Sequence, residues 1–124
     1  MIYQFTLVFL GGGLGAGLRW VIRENLTHST DFPWATLLAN AIGCLFLGLM
    51  SGWSSKTLPI SQDLVLFFAV GFCGGLTTFS SFMLENINYA DLHKWILLVT
   101  YSALSFFIGG LLLGLGRWLA RTIV

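Results

Sequence analysis

The chain has 124 residues, of which 56% are apolar and only 9% are charged, and its formal net charge is +1. A soluble domain carries about a quarter of its residues as Asp, Glu, Lys and Arg, because those side chains cover its surface. The composition therefore excludes an ordinary soluble protein, and no nucleic-acid partner is expected.

Four apolar runs predict four transmembrane helices at about residues 2–22, 33–53, 64–85 and 95–119. Each run has the ~20 residues that a helix needs to cross about 30 Å of hydrocarbon. The short connections hold nearly all the charges and both histidines, His28 and His93. The sequence predicts an all-α integral membrane protein, with residues 1–124 forming one four-helix domain in the lipid bilayer.

The first run contains the glycine-rich stretch GGGLGAGLR at residues 11–19. Small residues four positions apart let another helix backbone approach closely, and the other three runs carry similar pairs. Arg19 near the end of this run has two interpretations. It either extends to the lipid headgroups beside Trp20, or it places a fixed positive charge at the mouth of an anion path.

The second run contains Asn40 within LLANAIG, and Thr36 lies one turn earlier on the same face. The amide of Asn40 either joins neighbouring helices by hydrogen bonds or presents its NH2 group to a passing anion.

The third run is interrupted by GFCGGLTTFSSF at residues 71–82. Gly74 and Gly75 each cost a helix roughly 1 kcal/mol relative to alanine. One interpretation is a continuous helix that uses the glycines for packing and bonds the hydroxyls back to its own backbone. The other is a break near mid-membrane, where the freed carbonyls bind an ion.

Phe79 and Phe82 follow this stretch at i and i+3 and therefore share a helix face, flanked by Ser80 and Ser81. The two rings either pack in the ordinary way or turn their weakly positive edges toward an anion.

The fourth run gathers Tyr101, Ser102 and Ser105, of which Tyr101 and Ser105 share a face. Serines in a helix also bond to their own backbone, so these two are weak signals individually.

The positive charges divide evenly between the two membrane sides. Four spans place Lys56, Arg117 and Arg121 on one side and Arg19, Arg23 and Lys94 on the other. The positive-inside rule then gives no preferred orientation. Either finer details fix the orientation, or the copies insert both ways and pair as an antiparallel dual-topology homodimer.

No catalytic or metal-ligating grouping occurs in the sequence. The histidines lack partners at ligand spacing, and the carboxylates, Glu85 included, are expected in or beside the connections. Cys44 and Cys73 lie in different runs and are interpreted as free buried thiols. The sequence argues against an enzyme.

The stretches GGGLGAGLRW (11–20), LLANAIGCLFLG (37–48) and GFCGGLTTFSSF (71–82) together resemble the CrcB/Fluc family of fluoride channels. The resemblance covers essentially the whole chain. It implies a multi-pass protein of the bacterial inner membrane that exports fluoride passively, through two pores in an antiparallel homodimer.

The same resemblance implies roles for individual residues. The third helix would break at its glycine pair, with the carbonyls of Gly74 and Thr77 from both copies holding a structural Na+ at the interface. Arg19 would lie in the vestibule. The fluoride path would comprise Phe79, Phe82, Asn40, Ser80, Ser81, Tyr101 and Ser105.

Two residues depart from the family pattern without threatening it. Ser81 stands where many members have threonine, and Trp20 where many have tyrosine. The alternative function is a small dual-topology drug/proton antiporter, which needs an ionisable group at membrane depth. With Glu85 expected at a helix end, the sequence disfavours that alternative.

Overall fold

The computed structural model describes residues 1–26, 31–53 and 60–123, and within these ranges it contains helices and no strands. Four helices are long and apolar enough to cross a membrane: Ile2–Leu26, Trp34–Trp53, Gln62–Asp91 and Trp95–Ile123. The predicted four-helix, all-α membrane fold is confirmed, and the chain is a multi-pass membrane protein. The predictions that concern His28 and Lys56 lie outside the described residues.

The third helix is broken, as the resemblance implied. A leading half-helix covers residues 62–76 and winds as a π-helix over Val65–Cys73. Thr77 and Thr78 are extended, with ψ angles of 152° and 119°, and a trailing half-helix covers Phe79–Asp91. The π-helical winding was not anticipated from the sequence.

The position of the break differs from the prediction. Gly74 is helical, with φ −62° and ψ −36°, so the helix ends after the glycine pair instead of at it. Gly75 serves packing instead: a Cβ there would collide with the Gly12 carbonyl of the first helix. Close approach to the first helix thus requires this glycine, and the break falls where Thr78 finds hydrogen-bond partners from the second helix.

The helices form two closely packed pairs. The first helix lies against the leading half-helix, and the second lies against the fourth. A Cβ on Gly15 would collide with the Phe72 carbonyl, and one on Gly116 with the Leu45 carbonyl. The predicted role of the small residues in close packing is confirmed at Gly15, whereas Gly116 was not among the predicted pairs. By contrast, Gly13, Gly17, Gly110 and Gly114 face open space in the single chain.

A tight turn links the trailing half-helix to the fourth helix. His93 has a positive φ of 55°, and Lys94 N–H donates to the Tyr89 carbonyl at 2.8 Å. Lys94 also pairs with Asp31 at 2.9 Å, and the Tyr89 hydroxyl donates to the Asp31 carbonyl at 2.6 Å. These bonds fix the start of the second helix to the end of the third.

Candidate functional site

Asn40 holds the broken segment of the third helix. Its side-chain NH2 donates to the Thr78 carbonyl at 3.1 Å, and Thr78 N–H donates to its oxygen at 2.7 Å. The amide oxygen therefore gives Thr78 N–H the acceptor that a continuous helix would have provided, and the amide NH2 adds a bond to the Thr78 carbonyl. This arrangement fits the helix-joining interpretation of Asn40, although its NH2 group carries a second hydrogen.

The last carbonyls of the leading half-helix lose their helical donors at the break, as at any helix end. In a continuous helix Thr78 N–H would bond to the Gly74 carbonyl, but it is taken by Asn40. Likewise Ser81 N–H would bond to the Thr77 carbonyl, but it donates to Thr78 Oγ1 at 3.1 Å. The carbonyls of Gly74 and Thr77, the two residues expected to hold Na+, are among those that lose their donors.

Thr78 also begins the trailing half-helix. Besides accepting from Ser81 N–H, its hydroxyl donates to Ser81 Oγ at 3.1 Å and lies 3.2 Å from Ser80 Oγ. This is an N-cap, in which a side-chain oxygen satisfies a free amide of the first turn. The positive end of the helix dipole consequently points at the break.

One cavity, here called the basic cavity, has a volume of about 550 Å³ and lies beside the break. Arg19, Arg23 and Lys94 line it, together with Asp31 and Glu85. The hydrogen bond from Lys94, and then its charge, hold the pKa of the exposed Asp31 carboxyl below its usual range. Thr78 and Ser81 reach the same cavity from the break.

A second cavity, here called the phenyl cavity, has a volume of about 490 Å³. Its walls include Asn40, Phe79, Phe82 and Ser105. The rings of Phe79 and Phe82 lie 6.0 Å apart between centroids. Ser105 Oγ is buried and has no hydrogen-bond partner in the part of the chain that the structure describes. Thr78 lines this cavity as well as the basic one, so both cavities lie beside the break.

Glu85 lies between the second, third and fourth helices. Its carboxylate accepts a hydrogen bond from Thr36 Oγ1 at 2.6 Å and another from the Tyr101 hydroxyl at 2.6 Å. Short bonds of this kind are the strong, charge-assisted type. The expectation that Glu85 ends the third helix is wrong, because the helix continues to Asp91. Glu85 lies within the trailing half-helix, six residues before its end.

The structure gathers most of the predicted path residues around the break. Asn40, Phe79, Phe82 and Ser105 line the phenyl cavity, whereas Ser81 and Arg19 line the basic cavity. The remaining two predicted path residues, Tyr101 and Ser80, line neither cavity. Tyr101 is fully buried, with its ring 5.1 Å from that of Phe82, and Ser80 contacts the hydroxyl of Thr78 without lining either cavity. The role of each residue stays a prediction.

Sequence reasoning missed Thr78 and Glu85 as members of this site. A signal for Glu85 was available, because Met83 and Ile87, four residues apart, continue the helical apolar spacing past it. No comparable signal marked Thr78, since the two threonines are equivalent until the position of the break is known.

Comparison with known proteins gives a consistent family assignment. The model of the family described as "CrcB-like protein, Camphor Resistance (CrcB)" matches residues 6–117. A protein of Azobacteroides pseudotrichonymphae is 37% identical, with 88% of this chain and 89% of that protein covered. A protein of Flavobacterium psychrophilum is 40% identical, covering 82% and 84% respectively. One from Dichelobacter nodosus is 38% identical, covering 98% and 100%. Each of these relatives is named fluoride-specific ion channel FluC.

Proposed function

Because this chain belongs to the CrcB-like family, we propose that it is a fluoride channel that conducts passively across the bacterial inner membrane. One structural observation carries the proposal beyond family membership. Two cavities lie beside the break in the third helix, and Thr78 lines both of them. Irregular backbone at membrane depth is tolerated where it is buried in protein or lines a water-filled cavity.

The chemistry of the two cavities suits a small, strongly hydrated anion. Arg19 gives the basic cavity a positive charge that raises the local anion concentration. At the break, the second amide hydrogen of Asn40 and the N-terminus of the trailing half-helix favour negative charge. Beyond the break, the unpaired hydroxyl of Ser105 and the ring edges of Phe79 and Phe82 replace part of the hydration shell.

A structural Na+ is part of the proposal, and the residues present fit it. Unwound backbone carbonyls coordinate Na+ at broken membrane helices, and the Gly74 and Thr77 carbonyls have lost their helical donors. The ion would add a fixed positive charge beside an anion path.

The proposed assembly is an antiparallel homodimer. Two carbonyls from one chain are too few for a buried cation, so a second copy would complete the set. The faces around Gly74, Gly110 and Gly114 are open in the single chain, which suits close approach of another backbone. The even charge balance across the membrane supports opposite insertion of the two copies.

The antiporter alternative is not supported. Glu85 lies within the third helix instead of at its end, and its carboxylate is bonded to Thr36 and Tyr101. The family assignment decides against the antiporter, since the relatives are named as channels. A channel needs no proton gradient, which separates the two functions experimentally.

The decisive experiment measures fluoride efflux from liposomes that contain only this protein, with chloride efflux as the comparison. We expect fluoride efflux that exceeds chloride efflux and does not depend on a pH gradient. Phe79→Ile and Phe82→Ile should each slow fluoride efflux while the assembly stays intact. Phe9→Ile, on an exposed ring outside both cavities, is the control. No fluoride efflux from the unaltered protein would overturn the proposal.

A further inference from the structure

The trailing half-helix is tied to the fourth helix by two successive side-chain bonds. Tyr101 donates to Glu85 at 2.6 Å, and Ser102 Oγ donates to Asn86 Oδ1 at 2.9 Å. The donors Tyr101 and Ser102 are adjacent in sequence, and so are the acceptors Glu85 and Asn86. The two bonds therefore lie side by side where the two helices touch. The first belongs to the basic cavity, because Glu85 lines it. The second reaches the phenyl cavity through Ser102.

Asn86 is the buried member of the second bond. Its exposed fraction is 7%, and it lines neither cavity. Its NH2 group donates to the Phe82 carbonyl at 2.9 Å, one turn earlier in the same helix. The side chain is therefore oriented by its own helix at one end and bonded to the fourth helix at the other.

These two bonds hold Asn86 one turn after Phe82, on the same face of the helix. The Phe82 ring lines the phenyl cavity, and its centroid lies 5.1 Å from that of Tyr101. A rotation of the trailing half-helix about its axis would move this ring and change the space beside it. The bond to Ser102 resists that rotation, because a buried carboxamide that loses its partner carries the desolvation cost of an unsatisfied polar group.

An asparagine that bonds to the carbonyl four residues earlier is not unusual by itself. Asn25 does the same toward Val21 at 2.8 Å, on an exposed face of the first helix. What distinguishes Asn86 is its burial and its second bond, which joins another helix.

We propose that Asn86 is a positioning residue for anion selectivity. By locking the trailing half-helix onto Ser102, it fixes the Phe82 ring and thus the width available to an anion in the phenyl cavity. Without the Asn86–Ser102 bond, the Phe82 ring would be free to move and larger anions such as chloride would enter the phenyl cavity. The inference rests on the proposed function and extends it to a residue outside the path.

The test is the ratio of fluoride to chloride permeability in proteoliposomes. Asn86→Leu keeps the approximate volume of the side chain and removes both bonds. We expect the ratio to fall about tenfold, the factor that corresponds to one buried hydrogen bond. Most of the fall should come from increased chloride permeability, which partial unfolding of the protein would not produce. Asn25→Leu removes the equivalent bond at an exposed site and should leave the ratio unchanged.

A second pair of variants tests the partner of Asn86. Ser102→Ala should lower the permeability ratio, and Ser102→Thr should restore it because threonine returns the hydroxyl. The double variant Asn86→Leu with Ser102→Ala should have the same ratio as Asn86→Leu alone. The serine variants decide the matter if Asn86→Leu fails to assemble. If the unaltered protein is selective and Ser102→Ala or Asn86→Leu keeps the same ratio, the inference is overturned. If the unaltered protein carries no fluoride, the proposed function fails instead.

Discussion

Replacing Asn40 tests whether one amide holds the break in the third helix. Asn40→Leu preserves the approximate size of the side chain and removes both bonds to Thr78, at 3.1 and 2.7 Å. Thr78 is only 7% exposed, so its N–H would be left without water as a replacement partner.

The magnitude follows from the two lost bonds. A buried polar group left unsatisfied costs about 1–3 kcal/mol, whereas single interhelical bonds in membrane proteins average about 0.6 and reach about 1.7 kcal/mol. Two such bonds to a buried backbone segment therefore predict a loss of about 2–3 kcal/mol in the free energy of unfolding. Part of the loss is recovered if Thr78 N–H returns to the Gly74 carbonyl, but that would remove a proposed cation ligand.

The assay is unfolding by sodium dodecyl sulfate in mixed micelles, followed alongside fluoride efflux. Asn40→Leu should lose both stability and efflux, and Asn25→Leu serves as the control because its bond is exposed. An Asn40→Leu protein within about 0.5 kcal/mol of the unaltered one, with normal efflux, would refute the reasoning.

Three further predictions concern the rest of the fold. Because the Asp31 pKa is lowered, the Asp31–Lys94 pair stabilises the folded protein fully above the ordinary carboxyl pKa, and this stabilisation disappears as the pH falls through the lowered pKa. Lys94→Met should therefore raise the Asp31 pKa in an NMR titration. An unmoved pKa would contradict the pairing. His93→Gly should stabilise the protein by about 1 kcal/mol in detergent unfolding, because φ of 55° costs a residue with a Cβ that much; a loss of stability would show that the imidazole matters more. Gly15→Ala should cost about 1–3 kcal/mol through collision with the leading half-helix. Gly13→Ala, with open space around it, is the matched control, and equal losses would refute the packing argument.

Much of the architecture follows from the sequence because the bilayer imposes a simple length rule on apolar runs. The rule works less well at helix ends, since helices continue into the polar region. That continuation is why the third helix extends beyond Glu85, where the length rule predicted its end. The acid within the helix is explained by the Thr36 and Tyr101 hydroxyls beside it, and those come from two other helices.

The break illustrates a second limit. Weak helix formers at Gly74 and Gly75 indicated the region correctly, but local propensity cannot choose between a glycine that ends a helix and one that packs. The choice depends on the first helix, whose backbone touches Gly75, and on the second, whose Asn40 reaches Thr78. Both are long-range contacts that the local sequence does not contain.

The hydroxyl of Thr78 is already committed in the resting protein, since it caps one amide and donates its hydrogen to Ser81. An anion that bound this hydroxyl would have to replace Ser81 as the acceptor of its hydrogen. Binding of that anion and the integrity of the helix end would then depend on the same proton donor.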